Sequence, residues 1–252
     1  MNFHSVLKGL STLTLLTFSA QAATVVTGSS ATASGSYNLT DLGSSDWAYW
    51  STTANNSHSG AALNSKSGAS LIGDLTAIGG NPAGTGNTLR GSSASNVVNT
   101  FSWTGDGFSP ASGSNGTVRG IFNTTLDATD AGVRLTVTLT DAATYSLNLW
   151  TLVFDGTSTL TVSDDGGSST LFTSSGESFG TGNPKGSHLH TLTVTTDTPG
   201  TTLTIDNILT VNGNLNGSSH AGFSGAAISV IPEPSAMILT SIGALLVFRR
   251  KR

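Results

Sequence analysis

The chain has 252 residues, a formal net charge of −4 at pH 7 and no cysteine. Disulfides, zinc–thiolate sites and cysteine nucleophiles are therefore excluded, and an exported form must rely on core burial. Residues 23–231 carry only Lys66, Arg90, Arg119, Arg134 and Lys185 as cations against twelve aspartates and Glu177, which argues against nucleic acid as a partner, since cations are needed to displace counterions from phosphates.

Met1 to Ala22 has a single lysine, Lys8, an apolar stretch from Leu10 to Phe18, and Ala20-Gln21-Ala22 as a small-x-small site. The arrangement resembles a secretory signal peptide, handled by a secretion translocon and signal peptidase, with the mature chain starting at Ala23. Its apolar stretch is about half a bilayer-spanning length, so a lasting amino-terminal anchor is not expected. Residues 23–230 then have the length of one exported domain with a sizeable core.

Residues 51–100 are rich in Ser, Gly, Ala and Asn, with only Leu71-Ile72 and Val97-Val98 reading as buried, and long loops are expected there. The carboxy-terminal half is clearer. From Val133 to Thr140, Val133, Leu135, Val137 and Leu139 alternate with Arg134, Thr136, Thr138 and Thr140, which predicts a strand with one apolar face. Tyr145 to Phe154 follows, its apolar positions shifting parity after Leu149, which predicts a bulge near Leu149-Trp150. Further strands are expected at 159–163, 189–195, 201–205, 208–211 and 226–230, with a turn at Asp164-Asp165-Gly166-Gly167. Many short strands and no convincing internal amphipathic helix predict an all-β chain folded as a single antiparallel β-sandwich.

Asn38-Leu39-Thr40, Asp46-Trp47-Ala48-Tyr49-Trp50, Lys66-Ser67-Gly68, the run Ile72 to Gly79, and Phe101-Ser102-Trp103-Thr104 resemble a β-sandwich domain of bacterial secreted and polysaccharide-related proteins, similar to galactose-binding jelly rolls. This chain has Tyr49 where that first motif carries His, and Gly105-Asp106-Gly107 where aspartate-glycine follows the tryptophan motif. Asp46, Trp47, Tyr49, Trp50 and Trp103 are the candidate glycan-binding residues: an exposed ring stacks on a sugar while neighbouring polar groups bind its hydroxyls. Alternatively the rings fill the core. Strand alternation places Trp47 and Tyr49 on one face and Trp50 on the other.

Catalytic chemistry finds little footing. Glycosidases need two placed carboxylates, and Glu177 sits in a Gly/Ser-rich stretch with scattered aspartates and no evident pairing. No nucleophile elbow or phosphate-cradling Gly-Lys motif occurs. His188 and His190, two apart on one strand face, either share a metal or are two solvated histidines. Asp164-Asp165 either bind calcium or turn a hairpin, and Asp127 and Asp130 pose the same choice. No catalytic residue, metal or cofactor is assigned.

At the tail, Pro232-Glu233-Pro234 cannot lie inside a helix, because proline fixes φ and removes a donor. The uncharged run from Ser235 to Phe248 would span roughly 21 Å as a helix at about 1.5 Å per residue, short of a hydrocarbon core of roughly 30 Å. Arg249, Arg250, Lys251 and Arg252 follow, and such a basic flank snorkels to headgroup depth and marks a cytoplasmic end. A short, thinly anchored transmembrane helix is expected.

The order from residue 231 to 252 resembles the PEP-CTERM sorting signal of bacterial envelope and matrix proteins. That resemblance implies an exosortase, a membrane-embedded protease that cuts near the tripeptide and passes the protein from transient inner-membrane anchorage to the cell surface or extracellular polysaccharide matrix, so that the tail is lost. The expectation is a non-catalytic surface or matrix component. A carbohydrate-binding module and a secreted glycan hydrolase are the alternatives, and a purely structural role carries the expectation that Trp50→Ala is tolerated.

Overall fold

A computed structural model describes residues 23–51, 57–80, 88–91, 99–104, 112–115, 120–164, 167, 169–178, 185–213 and 219–233. Residues 1–22, where a signal peptide is expected, Pro234 and the apolar and basic parts of the tail, Val97-Val98 and Gly105-Asp106-Gly107 lie outside them. Among the described residues no helix is long and apolar enough to cross a membrane.

The chain is nearly all β. In order come β1 (Thr24–Thr32), β2 (Ser36–Asn38), the single-turn helix α1 (Leu39–Leu42), β3 (Asp46–Tyr49), β4 (Ser57–His58), β5 (Asn64–Ser65), β6 (Thr76–Ile78), β7 (Leu89–Gly91), β8 (Thr100–Thr104), β9 (Ser112–Asn115) and β10 (Ile121–Asn123). The long strands follow: β11 (Gly132–Leu139), β12 (Ala143–Phe154), β13 (Gly156–Asp164), β14 (Ser169–Ser178), β15 (Lys185–Thr196), β16 (Thr201–Asn212) and β17 (His220–Ile231).

They form two large sheets. One runs β1-β15-β12-β17-β10-β7-β4, with β3 also on β17 and β5 on β3; the other runs β14-β13-β16-β11-β6. Every pairing within these two sheets is antiparallel, from the twelve-residue β12–β15 ladder to the short β4–β7 pair. The inward residues of β11, β13 and β16 form one buried cluster with those of β12, β15 and β17, so the two sheets are the layers of a sandwich. Its alternation is the one legible in the sequence: Val133, Leu135, Val137 and Leu139 are all inaccessible, while Arg134, Thr136 and Thr138 are half-buried on the outer face.

Two buried asparagines join the layers. Asn207 on β16 donates to the carbonyls of Leu152 and Gly222 in the other sheet, at 3.3 and 2.8 Å. Asn123 on β10 donates to those of Ile78 and Gly132, at 2.8 and 3.1 Å. These bonds explain a departure from expectation. The polar pair Asp206-Asn207 reads as a break between 201–205 and 208–211, yet β16 is continuous, because Asp206 pairs with Arg134 and Asn207 bonds across the sandwich.

The bulge occurs beside Trp150, but its extra residue belongs to β17. Trp150 faces Gly225 and Thr151 faces Phe223, so Ser224 is the residue without a counterpart, whereas β12 pairs with β15 without interruption from 143 to 154. The parity shift in β12 has another cause. Trp150 is covered on the outer face by a second apolar cluster, while Thr151 points inward and bonds to a buried histidine.

Candidate functional site

The second cluster contains three of the five candidate glycan-binding residues, Trp47, Tyr49 and Trp103. A small third sheet, β2-β8-β9, and α1 lie over the outer face of the large sheet. Asn38 caps α1 by accepting from the Thr40 amide at 3.1 Å, and β2 runs parallel to β8. Beneath them Trp47, Tyr49, Phe101, Trp103 and Trp150 pack with Ala33, Leu39 and Ala227. The rings meet in tilted and edge-to-face pairs: Trp47 and Trp103 centroids are 5.8 Å apart, Phe101 and Trp150 5.0 Å.

Trp50 points the other way. It lies in the main core, with its indole N–H donating to the Gly60 carbonyl at 3.0 Å. The face alternation expected from sequence is present, but neither face is exposed there: Trp47, Tyr49 and Trp50 are inaccessible and Trp103 is 5 % exposed. The tolerance expected of Trp50→Ala is therefore corrected, since the ring is a core element.

Asp46 is also inward. Its carboxylate accepts from the Leu71 and Ile72 amides at 2.9 and 2.8 Å, fastening the 66–72 segment to β3. Burial pushes its pKa above the ordinary carboxylate range, against the opposing pull of the Ile72, Trp47 and Leu71 amides and the Lys66 charge. The structure thus brings all five candidates into the packing of β3 and β8, with none of the four rings offering an open face.

The other candidates also serve the fold. His190 is inaccessible, with Ser30 Oγ 2.8 Å from Nδ1 and Thr151 Oγ1 3.0 Å from Nε2. That corrects the picture of two solvated histidines, and it occupies both of the His190 nitrogens that a metal would need. Asp164 closes a hairpin: its carbonyl accepts from the Gly167 amide at 2.7 Å, and Asp164 faces Ser169 across β13–β14. Asp127 has a left-handed φ of 62° and accepts from the Ser219 amide at 2.9 Å. Among the described residues no three His, Asp or Glu side chains gather to hold a metal. The Glu177 side chain lies outside the described residues.

One aromatic arrangement was not anticipated. On the outer face of the large sheet, His220 of β17 stacks between Phe122 of β10 and Phe154 of β12, with centroids 3.8 and 5.1 Å away. The Arg90 guanidinium carbon lies 5.5 Å from the Phe122 ring centre. Gly222 faces Phe122 in the ladder, and a Cβ there would fall 2.0 Å from the Ile121 carbonyl oxygen, so that position stays bare between the rings. Phe122 is buried, whereas Arg90 and Phe154 are half-buried. These residues come from 90, 122, 154 and 220, too far apart in the chain for spacing to link them. The only local signal was outward parity next to inward Leu89, Ile121 and Val153.

No protein family, characterised protein or solved structure matches this chain.

Proposed function

We propose that this chain is an exported, non-catalytic component of a bacterial cell surface or extracellular matrix, sorted through a PEP-CTERM-like tail by an exosortase-type protease. The observation that carries the reading is where the motif stands. β17 is buried from His220 to Ile228, then Val230, Ile231, Pro232 and Glu233 are exposed as the chain leaves the sandwich. A protease acting beside Pro232-Glu233 would meet exposed chain beyond the end of β17 without unfolding the domain.

The strand orders β3-β17-β12-β15 and β14-β13-β16-β11 support a jelly-roll reading of the domain. Asp46, Asp127 and Asp206 are each held in bonds that fix the fold, which supports a non-catalytic role. A second reading, retention on polysaccharide, is favoured by the Arg90–Phe122–His220–Phe154 stripe, in which Arg90 and Phe154 are half-buried over a buried Phe122 and His220, combining aromatic rings with a cation and an imidazole.

The test is intact mass and cell fraction of the protein from its native host, beside a variant lacking 232–252. The sorting reading expects loss of both terminal segments and surface or matrix location for the wild type, with the variant placed elsewhere. A full-length protein retained in the inner membrane would overturn it.

A further inference from the structure

The two large sheets end very differently on their two sides. On one side lie β4, β5, β6 and β7, strands of two or three residues. Short strands of this kind blunt a sheet edge against further pairing. On the opposite side lie β1, nine residues, and β14, ten residues, each the terminal strand of its sheet. The two edges meet: Ser30 Oγ, on the seventh of nine residues in β1, lies 3.1 Å from Ser174 Oγ, on the sixth of ten in β14.

β1 has none of the usual edge protection. Its sequence, Thr24 to Thr32, has no charge and no proline, and it pairs with β15 through nine consecutive residues without a bulge. Residues 27–32 are all exposed, and Val25 is 54 % exposed. A long, regular, uncharged edge is a template for another strand.

We propose that this side of the sandwich is a self-association surface, on which a second copy of this chain pairs β1 with β1 and β14 with β14 across a two-fold axis. The occupant follows from the geometry. Pairing both edges at once needs a partner with two edges at sandwich spacing, roughly 10 Å apart, and a second copy supplies both. A two-fold axis perpendicular to the sheets, passing near Ser30 and Ser174, keeps inward residues inward and makes each pairing antiparallel. No charge on β1 opposes the approach. The contact is isologous and closes at two copies. It holds whether or not the tail is processed as proposed.

The experiment is the molar mass of the protein recovered from its host, by light scattering over a hundredfold range of concentration, with Ser29→Lys/Ala31→Lys beside it. Both side chains are exposed, and about an axis at Ser30 residue 29 of each copy faces residue 31 of the other, so the double variant sets four added cations against one another. The expected result is a dimer for the wild type and a monomer for the double variant, with unchanged tryptophan emission. Thr32→Pro alone is the second variant: the Ala33 amide bonds to the Ser187 carbonyl, so the alternation of the ladder turns the Thr32 amide outward, where proline removes a single edge donor. A wild type that stays monomeric, or a dimer that survives both variants in folded form, would overturn the proposal. So would a mass increase carried by a foreign polypeptide.

Discussion

Inside the sandwich, Thr151 Oγ1 and His190 Nε2 lie 3.0 Å apart, a polar contact on the face that elsewhere carries Leu147, Leu149, Leu192 and Val194. Ser30 Oγ takes the other ring nitrogen at 2.8 Å. Replacing His190 with Leu leaves two hydroxyls without their imidazole, at an expected cost of about 2–4 kcal/mol. Thr151→Val should cost about 1 kcal/mol, because one bond is lost with little change in shape. Urea unfolding of both variants checks the order.

All four tryptophans are buried, Trp50 in the main core and Trp47, Trp103 and Trp150 in the cluster beneath the third sheet. Trp50→Ala and Trp150→Ala should each destabilise by about 3–5 kcal/mol through the cavity left behind. The native protein should emit at short wavelength and resist acrylamide quenching. Ready quenching would show that a ring is open to ligands.

Arg134 and Asp206 form a two-pronged ion pair, at 2.7 and 2.8 Å, on the outer face of the smaller sheet. Because the Arg134 side chain is 36 % exposed, solvent screening limits its worth. A double-mutant cycle with Arg134→Met and Asp206→Asn should give a coupling of about 1 kcal/mol or less, smaller at high salt.

Asp46 and His58 should tilt the pH dependence of stability in opposite senses. Burial raises Asp46, so the folded state holds that proton more tightly than the unfolded chain. Its contribution is fully present below the ordinary carboxylate value of about 3.9 and is lost as the pH rises through the raised folded value. The wild type should therefore gain on Asp46→Asn as the pH falls from 7 toward 4.

His58 is lowered by burial, against the pull of Asp74, and its Nδ1 accepts from the Gly60 amide at 2.9 Å. Its contribution is present above about pH 6.5 and is lost as the pH falls through the folded value. The advantage of the wild type over His58→Gln should shrink across that window. Thermal unfolding from pH 4 to 8 separates the two slopes.

A Cβ at Gly222 would fall 2.0 Å from the Ile121 carbonyl oxygen, which is backbone and cannot swing aside. Gly222→Ala should cost more than about 2 kcal/mol and loosen β10 first. Hydrogen exchange at Ile121 to Asn123, rising before exchange in β12, checks this.

The sequence by itself determined the all-β class and the long strands of the carboxy-terminal half. Alternation is a local property, and at Val133 to Leu139 each apolar side chain has one core to face. The hairpin at Asp164 was legible for the same reason, since turn chemistry is contained within a few residues.

Tertiary structure decided the rest. β1 has no alternating signal because it lies at an edge where residues 27–32 are exposed on both faces. β16 runs through Asp206-Asn207 because partners at Arg134, Leu152 and Gly222 satisfy groups that would otherwise end a strand. The aromatics of β3 are buried on both faces because a third sheet, assembled from 36–38, 100–104 and 112–115, covers what would otherwise be a solvent face. Whether a ring meets water or another ring depends on chain folded over it from elsewhere, and no local period encodes that.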